Sequence, residues 1–115
     1  MCFEIRHERS GSVPVVAVSG EIDLATADSL RSTLGELPRT TPVVVDLSEM
    51  SFIDGSGLRV LLDEHSRRSA RLYVVCAPAG PLPRILETSG VPQDLRLYTH
   101  RESAIWAARS GERYR

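Results

Sequence analysis

The sequence predicts a single α/β domain built on a mixed, mostly parallel sheet of about five strands with about four helices. Three observations lead there. The chain of 115 residues is one domain long and too short for two separate cores. Its composition, 42% hydrophobic and 25% charged, is globular. Along it, strand-like apolar runs alternate with segments of helical period.

Phe3 to Glu8 alternates apolar and polar residues, as a half-buried strand does. Arg9-Ser10-Gly11-Ser12 is a turn signal, and Val13 to Ser19 is a second, β-branched strand, so the chain opens with a hairpin. Gly20 to Asp23 reads as a loop. The next helix shows Ala27, Leu30, Leu34 and Leu37 on one face, with Asp23 as its cap and Pro38 and Pro42 at its exit. Val43 to Leu47 is a short apolar run, typical of a strand covered on both faces. After a loop from Ser48 to Ile53, a helix with the stripe Leu58, Leu61, Leu62 and His65 runs to about Arg71. Leu72 to Ala77 is another buried strand, Pro78 to Pro83 turns the chain, and Ile85 to Ser89 is a short helix stopped by Gly90. Leu95 to Tyr98 is the last strand. Thr99 and Glu102 have capping-box spacing and open a final helix, whose Trp106 is expected in the core. The domain takes in residues 1–115, with a frayed end from Gly111 to Arg115.

Strands joined by one helical crossover run parallel, with right-handed connections. The strands at 13–19, 43–47 and 72–77 therefore point the same way. The loops at 20–23, 48–57 and 77–83 then leave from one shared edge, where open α/β sheets usually place their function.

Composition excludes several kinds of chemistry. All fourteen basic residues are arginine and none is lysine. That removes a P-loop, Schiff-base chemistry and a lysine base. Two cysteines are too few for a disulfide framework: Cys76 lies in an apolar run and Cys2 at the chain end. There is no zinc-ligand spacing, and His7, His65 and His100 are scattered, so neither metal nor cofactor is expected. Residues 21–64 carry nine acids and three arginines, a balance of −6, whereas residues 65–115 carry nine arginines and four acids, a balance of +5. With a net charge of −1, the chain is not expected to bind nucleic acid directly. No apolar run approaches the ~20 residues of a membrane helix. The N-terminus has no signal-peptide pattern, so a cytoplasmic protein without membrane attachment is expected.

The informative segment is Phe52-Ile53-Asp54-Gly55-Ser56-Gly57-Leu58. Asp54 is a good N-cap, which puts Ser56 at the second helical position between two glycines. Glycines cost a helix interior ~1 kcal/mol each, and here they leave the hydroxyl without bulky neighbours. Taken alone, Asp-Gly-Ser-Gly is also an ordinary loop-to-helix junction. Three functions compete with that reading. A dinucleotide loop would need glycine at position 60, which is Val60. A catalytic serine would need the Gly-x-Ser-x-Gly elbow and a histidine base, yet positions 54 and 58 are Asp and Leu and His65 lies more than two turns away. A serine phosphorylated by another protein's kinase needs freedom from bulk, which the glycines supply.

These residues resemble the STAS domain of bacterial anti-sigma-factor antagonists, found also at the end of sulfate transporters. Three stretches carry the resemblance: Gly20 to Asp23 with Thr26-Ala27; Val44 to Ser48 through Phe52 to Leu58; and Arg84 to Val91. Such antagonists usually carry Asp-Ser-Ser-Gly with the second serine phosphorylated. Asp54 matches the aspartate, Ser56 the acceptor, and Gly55 replaces the first serine. The resemblance implies a partner switch. The unphosphorylated protein binds an anti-sigma factor with serine kinase activity and the sigma factor is freed. Phosphorylation of Ser56 reverses this, and a metal-dependent serine phosphatase resets the residue. The chain would be a substrate and not an enzyme. Position on the edge and the resemblance together mark Asp23, Asp54, Gly55, Ser56, Gly57 and Leu58 as partner-binding, with Glu21 beside them. Arg84 starts its helix near the same edge and reads as a surface arginine. Two alternatives are a scaffold or transport-associated STAS module that is never phosphorylated, and a small-ligand or nucleotide-binding domain using the helix start.

Overall fold

In the computed structural model, which describes residues 3–69, 72–89 and 95–110, the chain order is β1 (Glu4–Ser10), β2 (Val13–Ile22), α1 (Leu24–Gly35), β3 (Val43–Ile53), α2 (Gly55–Arg67), β4 (Leu72–Val75), α3 (Pro81–Ser89), β5 (Arg96–Tyr98) and α4 (Arg101–Ser110). The strands form one sheet in the order β1-β2-β3-β4-β5. β1 is antiparallel to β2 and every later pair is parallel. The expected mixed α/β architecture is therefore present. Cys2, Arg71, Gly90, Val91 and the end from Gly111 lie outside the described residues.

Alternation along the strands divides the core in two. Val16, Val18, Val45 and Val74 point to the face covered by α1, α2 and α3, where Leu30, Leu34, Leu61 and Leu86 meet them. Val13, Val15, Val44, Tyr73 and Val75 point to the opposite face, covered by α4 through Ala104 and Ala108. Small residues four apart let α4 lie close to the sheet and turn its larger residues outward. Trp106 is consequently 63% exposed, and the expectation of a core tryptophan is corrected.

Several boundaries differ from the sequence reading, each for a physical reason. The hairpin turn is only Gly11-Ser12, with Ser10 paired to Val13 and Gly11 at a positive φ of 61°, a value that favours glycine. β2 and β3 keep pairing through both segments read as loops, up to Glu21 opposite Phe52 and Ile22 opposite Ile53. Register shifts at 17/19 and 20/21 break the period of two that marks a strand, and Gly20 takes a φ of 91° there. α3 starts at Pro81 inside the expected turn, because a helix tolerates proline in its first turn. α2 ends at Arg67. Arg68 then turns back and its guanidinium donates to the carbonyls of Leu34, Leu37 and Pro38, satisfying the end of α1. Ala104 N–H donates to the His100 carbonyl, so α4 is capped at His100, one residue after the Thr99 of the expected capping box.

The N-terminus of α4 is tied to the sheet by charge. Arg101 pairs with Asp46 of β3 at 2.8 Å and with Glu8 of β1. Asp46 is 7% exposed and also accepts from the Ser48 hydroxyl at 2.7 Å. Burial pushes the Asp46 carboxyl up, but the bonds from Ser48 and Arg101 outweigh it and hold the group below its ordinary range. Along β1, Arg6 pairs with Glu8 at 3.2 Å and with Glu4 at 4.0 Å.

The start of α2 is seated on the ends of β2 and β3. Gly57 is buried, and a Cβ added there would stand 2.7 Å from Ile22 Cγ2 and 2.8 Å from Ile53 Cγ1. A Cβ on Gly55 would meet nothing within 4 Å. The two glycines therefore differ: Gly55 stands in open space, and Gly57 lets the helix close on the sheet.

Two predictions follow from this packing. Gly57→Ala should cost about 1–3 kcal/mol by overpacking in spite of better helix propensity, while Gly55→Ala should be neutral or stabilising by up to about 1 kcal/mol. Urea unfolding of both variants checks the contrast. Arg101→Ala should cost about 2 kcal/mol or more, somewhat less than a fully buried pair because Arg101 is partly exposed. Since the folded Asp46 carboxyl is depressed, its contribution is present above the unfolded value and is lost as pH falls below about 4. The difference between parent and Arg101→Ala, followed by urea unfolding against pH, should narrow there.

Candidate functional site

Two helices begin side by side on the expected edge. Ile22 and Ile53 are register partners, and the Asp54 N–H donates to the Ile22 carbonyl at 3.1 Å. The next residue of each chain segment is an aspartate cap: Asp23 for α1 and Asp54 for α2.

At the first junction Asp23 Oδ1 accepts from the Ala25 and Thr26 N–H groups at 3.0 and 3.2 Å. Thr26 Oγ1 in turn accepts from the Asp23 N–H and donates to the Glu21 carbonyl. This reciprocal box fixes the approach to α1 and holds the Glu21 backbone, with the Glu21 side chain half-buried beside it. Leu24, the first residue of α1, is 78% exposed. Its spacing from Ala27 fits the buried stripe, yet the burial of α1 begins only at Ala27.

At the second junction a single oxygen, Asp54 Oδ1, accepts from the Ser56 N–H at 2.9 Å, the Gly57 N–H at 3.2 Å and the Ser56 hydroxyl at 2.6 Å. The Leu58 N–H donates to the Asp54 carbonyl at 3.0 Å. The bond from the Ser56 hydroxyl is the main reason that the Asp54 carboxyl lies below its ordinary range, against a smaller opposing effect of burial. Asp54 is thus ionised at neutral pH. It accepts the Ser56 hydroxyl proton, and the neighbouring Gly55 stands in open space.

Ser56 is half-buried rather than bare, because its hydroxyl turns toward its own cap. The N–H groups of Ser56 and Gly57 are occupied by that cap and are not free for an added anion. Leu58 is 5% exposed and packs in the core with Leu61, so its expected role as a partner contact is corrected to one of support from below. Gly57 lies under the junction in the same way. The exposed members of the edge are Gly55, the half-exposed Glu21, Asp23, Asp54 and Ser56, and two apolar residues that sequence reasoning did not single out, Leu24 and the 45% exposed Phe52. Phe52 and Ile53 line an open groove of about 370 Å³ against α3, and Arg84 lines it too.

His65 is buried and its Nδ1 accepts from the Leu72 N–H at 3.3 Å, which places it in the packing between α2 and β4 and away from Ser56. Cys76 is a buried free thiol, pushed up by burial. Among the described residues no group of three or more His, Cys, Asp and Glu side chains could hold a metal ion, and no helix is long and apolar enough to cross a membrane.

Comparisons with known proteins place the chain in a family. The STAS domain family matches residues 4–104. An anti-sigma-F factor antagonist, RsfB of Mycobacterium tuberculosis, is 32% identical over 103 residues, covering 86% of this chain and 84% of that protein. An anti-sigma F factor antagonist of Paenibacillus polymyxa is 28% identical over 110 residues, covering 91% and 94%. The crystal structure of an anti-sigma factor antagonist from Mycobacterium paratuberculosis superposes with a TM-score of 0.81 at 28% identity, covering 94% of this chain and 95% of the other. With paired aspartate caps on one sheet edge and a family match from the first strand into the last helix, the chain belongs to the STAS domain family.

Proposed function

We propose that this protein is an anti-sigma-factor antagonist that acts by partner switching in the cytoplasm. In its unmodified form it binds an anti-sigma factor and the sigma factor is freed. The anti-sigma factor is also an ATP-dependent serine kinase, and its transfer of phosphate to Ser56 ends the complex. A serine phosphatase restores the hydroxyl. The relatives named as antagonists support the regulatory role. What supports Ser56 as the switch is its setting: a hydroxyl on the sheet edge that carries both helix caps, oriented by Asp54 at 2.6 Å, with open space at Gly55.

The chemistry is a substitution at phosphorus carried out by the partner. The Ser56 oxygen bonds to the γ-phosphorus of ATP, the bond to ADP breaks, and the serine proton leaves toward a base. The hydroxyl that Asp54 holds becomes a phosphate ester carrying about −1.5 to −2 charges at pH 7. Glu21, Asp23 and Asp54 already make the edge acidic. A dianion with its hydration shell is then placed where the contact must close. A loss of about 4 kcal/mol there weakens binding roughly a thousandfold. The fold stays as it is, because the caps and the sheet register do not depend on the Ser56 hydroxyl.

Incubation with ATP and the cognate anti-sigma factor tests the reading, with phosphate on Ser56 as the expected result. Its absence in a functioning complex would favour a scaffold role. The affinity order expected from titration is Ser56→Ala close to the unmodified protein, then Ser56→Asp, then the phosphorylated form. Ser56→Ala should remain bound and never be released by ATP. Any electrostatic part of the difference shrinks as salt is raised, whereas a steric part does not. Equal affinity across the four forms would remove Ser56 as the switch. Asp54→Ala should cost about 0.5–2 kcal/mol through the lost cap. It should also slow phosphorylation or weaken binding by more than that loss explains, measured on protein shown to be folded by circular dichroism.

A further inference from the structure

If Ser56 is the modified residue, as proposed above, its phosphate meets an unfavourable setting. Asp54 lies 2.6 Å from the ester oxygen and is ionised, and it loses the hydroxyl proton it had been sharing. The N–H groups of Ser56 and Gly57, which a phosphate at a helix start would ordinarily use, already donate to Asp54. The Leu58 N–H is held by the Asp54 carbonyl. A dianion beside a carboxylate therefore needs a cation from outside the cap.

Arg59 meets that need. It is exposed on α2, three residues after Ser56. Helix residues three apart are neighbours, with Cβ atoms about 5–6 Å apart. Long helical side chains lean toward the N-terminus, which here is the direction of Ser56. Among the described residues Arg59 makes no hydrogen bond or ion pair. The carboxylate one turn further on, Asp63, is paired with Arg31 of α1 at 3.3 Å. The other arginines at the end of α2 are also engaged, Arg67 with Glu64 and Arg68 with the carbonyls closing α1.

We propose that Arg59 is the intramolecular counter-charge of the switch: its guanidinium pairs with the phosphate on Ser56 and holds it against the side of α2. Phosphorylation then changes the partner-facing edge twice. It adds a bulky anion, and it withdraws a free cation that stood there before. The guanidinium also offsets about one of the added charges, which keeps the modified protein from opposing its own helix cap at full strength.

Phosphoserine encoded at position 56 during translation provides the test without any kinase. The second ionisation of the phosphate, near pH 6 in free phosphoserine, is followed by phosphorus NMR against pH. A neighbouring guanidinium favours the dianion and lowers that value, so Arg59→Gln should raise it by about half a pH unit. Arg59→Lys should restore at least half of the difference, and the difference should shrink in high salt. Arg84→Gln, which removes another cation on the same edge, should leave it unchanged. The same ionisation in Arg59→Gln and parent, or an equal rise in Arg84→Gln, would overturn the proposal. Because no kinase is involved, failure here leaves the partner switch standing, and failure of the partner to phosphorylate Ser56 leaves this pairing standing.

Discussion

The site depends on β2 and β3 remaining paired to their last residues. Ile22 and Ile53 end level with one another, and both pack beneath Gly57. That contact sets the height at which α2 leaves the sheet. It also brings the Asp54 N–H to the Ile22 carbonyl, so the two helix caps stand side by side. If pairing had stopped at Ser19 and Leu47, where the apolar runs end, Asp23 and Asp54 would have hung on separate loops with no common edge.

Asp54 concentrates three tasks in one oxygen. It ends the strand-to-helix turn, satisfies two first-turn N–H groups and holds the serine proton. The caps of both helices are oxygen acceptors, so the edge is acidic for reasons of folding before any partner is considered. Fixed carboxylates therefore stand beside the neutral Ser56 hydroxyl on this edge. Charge added at that hydroxyl is felt strongly because the backbone donors nearby are already in use.

Much of the fold is legible along the chain because its signals are local. The stripe Ala27, Leu30 and Leu34 marks α1, the valine runs mark the covered strands, and the aspartates before each helix mark the caps. What escaped depends on distant partners. Gly20 to Ile22 and Ser48 to Ile53 are strands only because they pair with each other across a bulge that hides their alternation. Thr99 has the right spacing for a capping box, yet α4 starts one residue later, with Arg101 reaching Asp46, 55 positions earlier in sequence. Trp106 has the size and apolarity of a core residue, yet Ala104 and Ala108 take the inward positions. At the site, Ser56 and Asp54 are readable from the motif, whereas the buried role of Gly57 and Leu58 needs the positions of Ile22 and Ile53.

The outer strands have a consequence for how the molecule meets others of its kind. β1 forms one rim of the sheet and carries the row Glu4, Arg6 and Glu8, linked by ion pairs. β5 forms the other rim and is three residues long. Charged side chains and shortness are two ways in which natural sheets resist growth by strand addition. Open backbone at these rims is thus a poor template for another chain. The ends of the strands, where Asp23 and Asp54 cap their helices, present side chains to another molecule instead of open backbone.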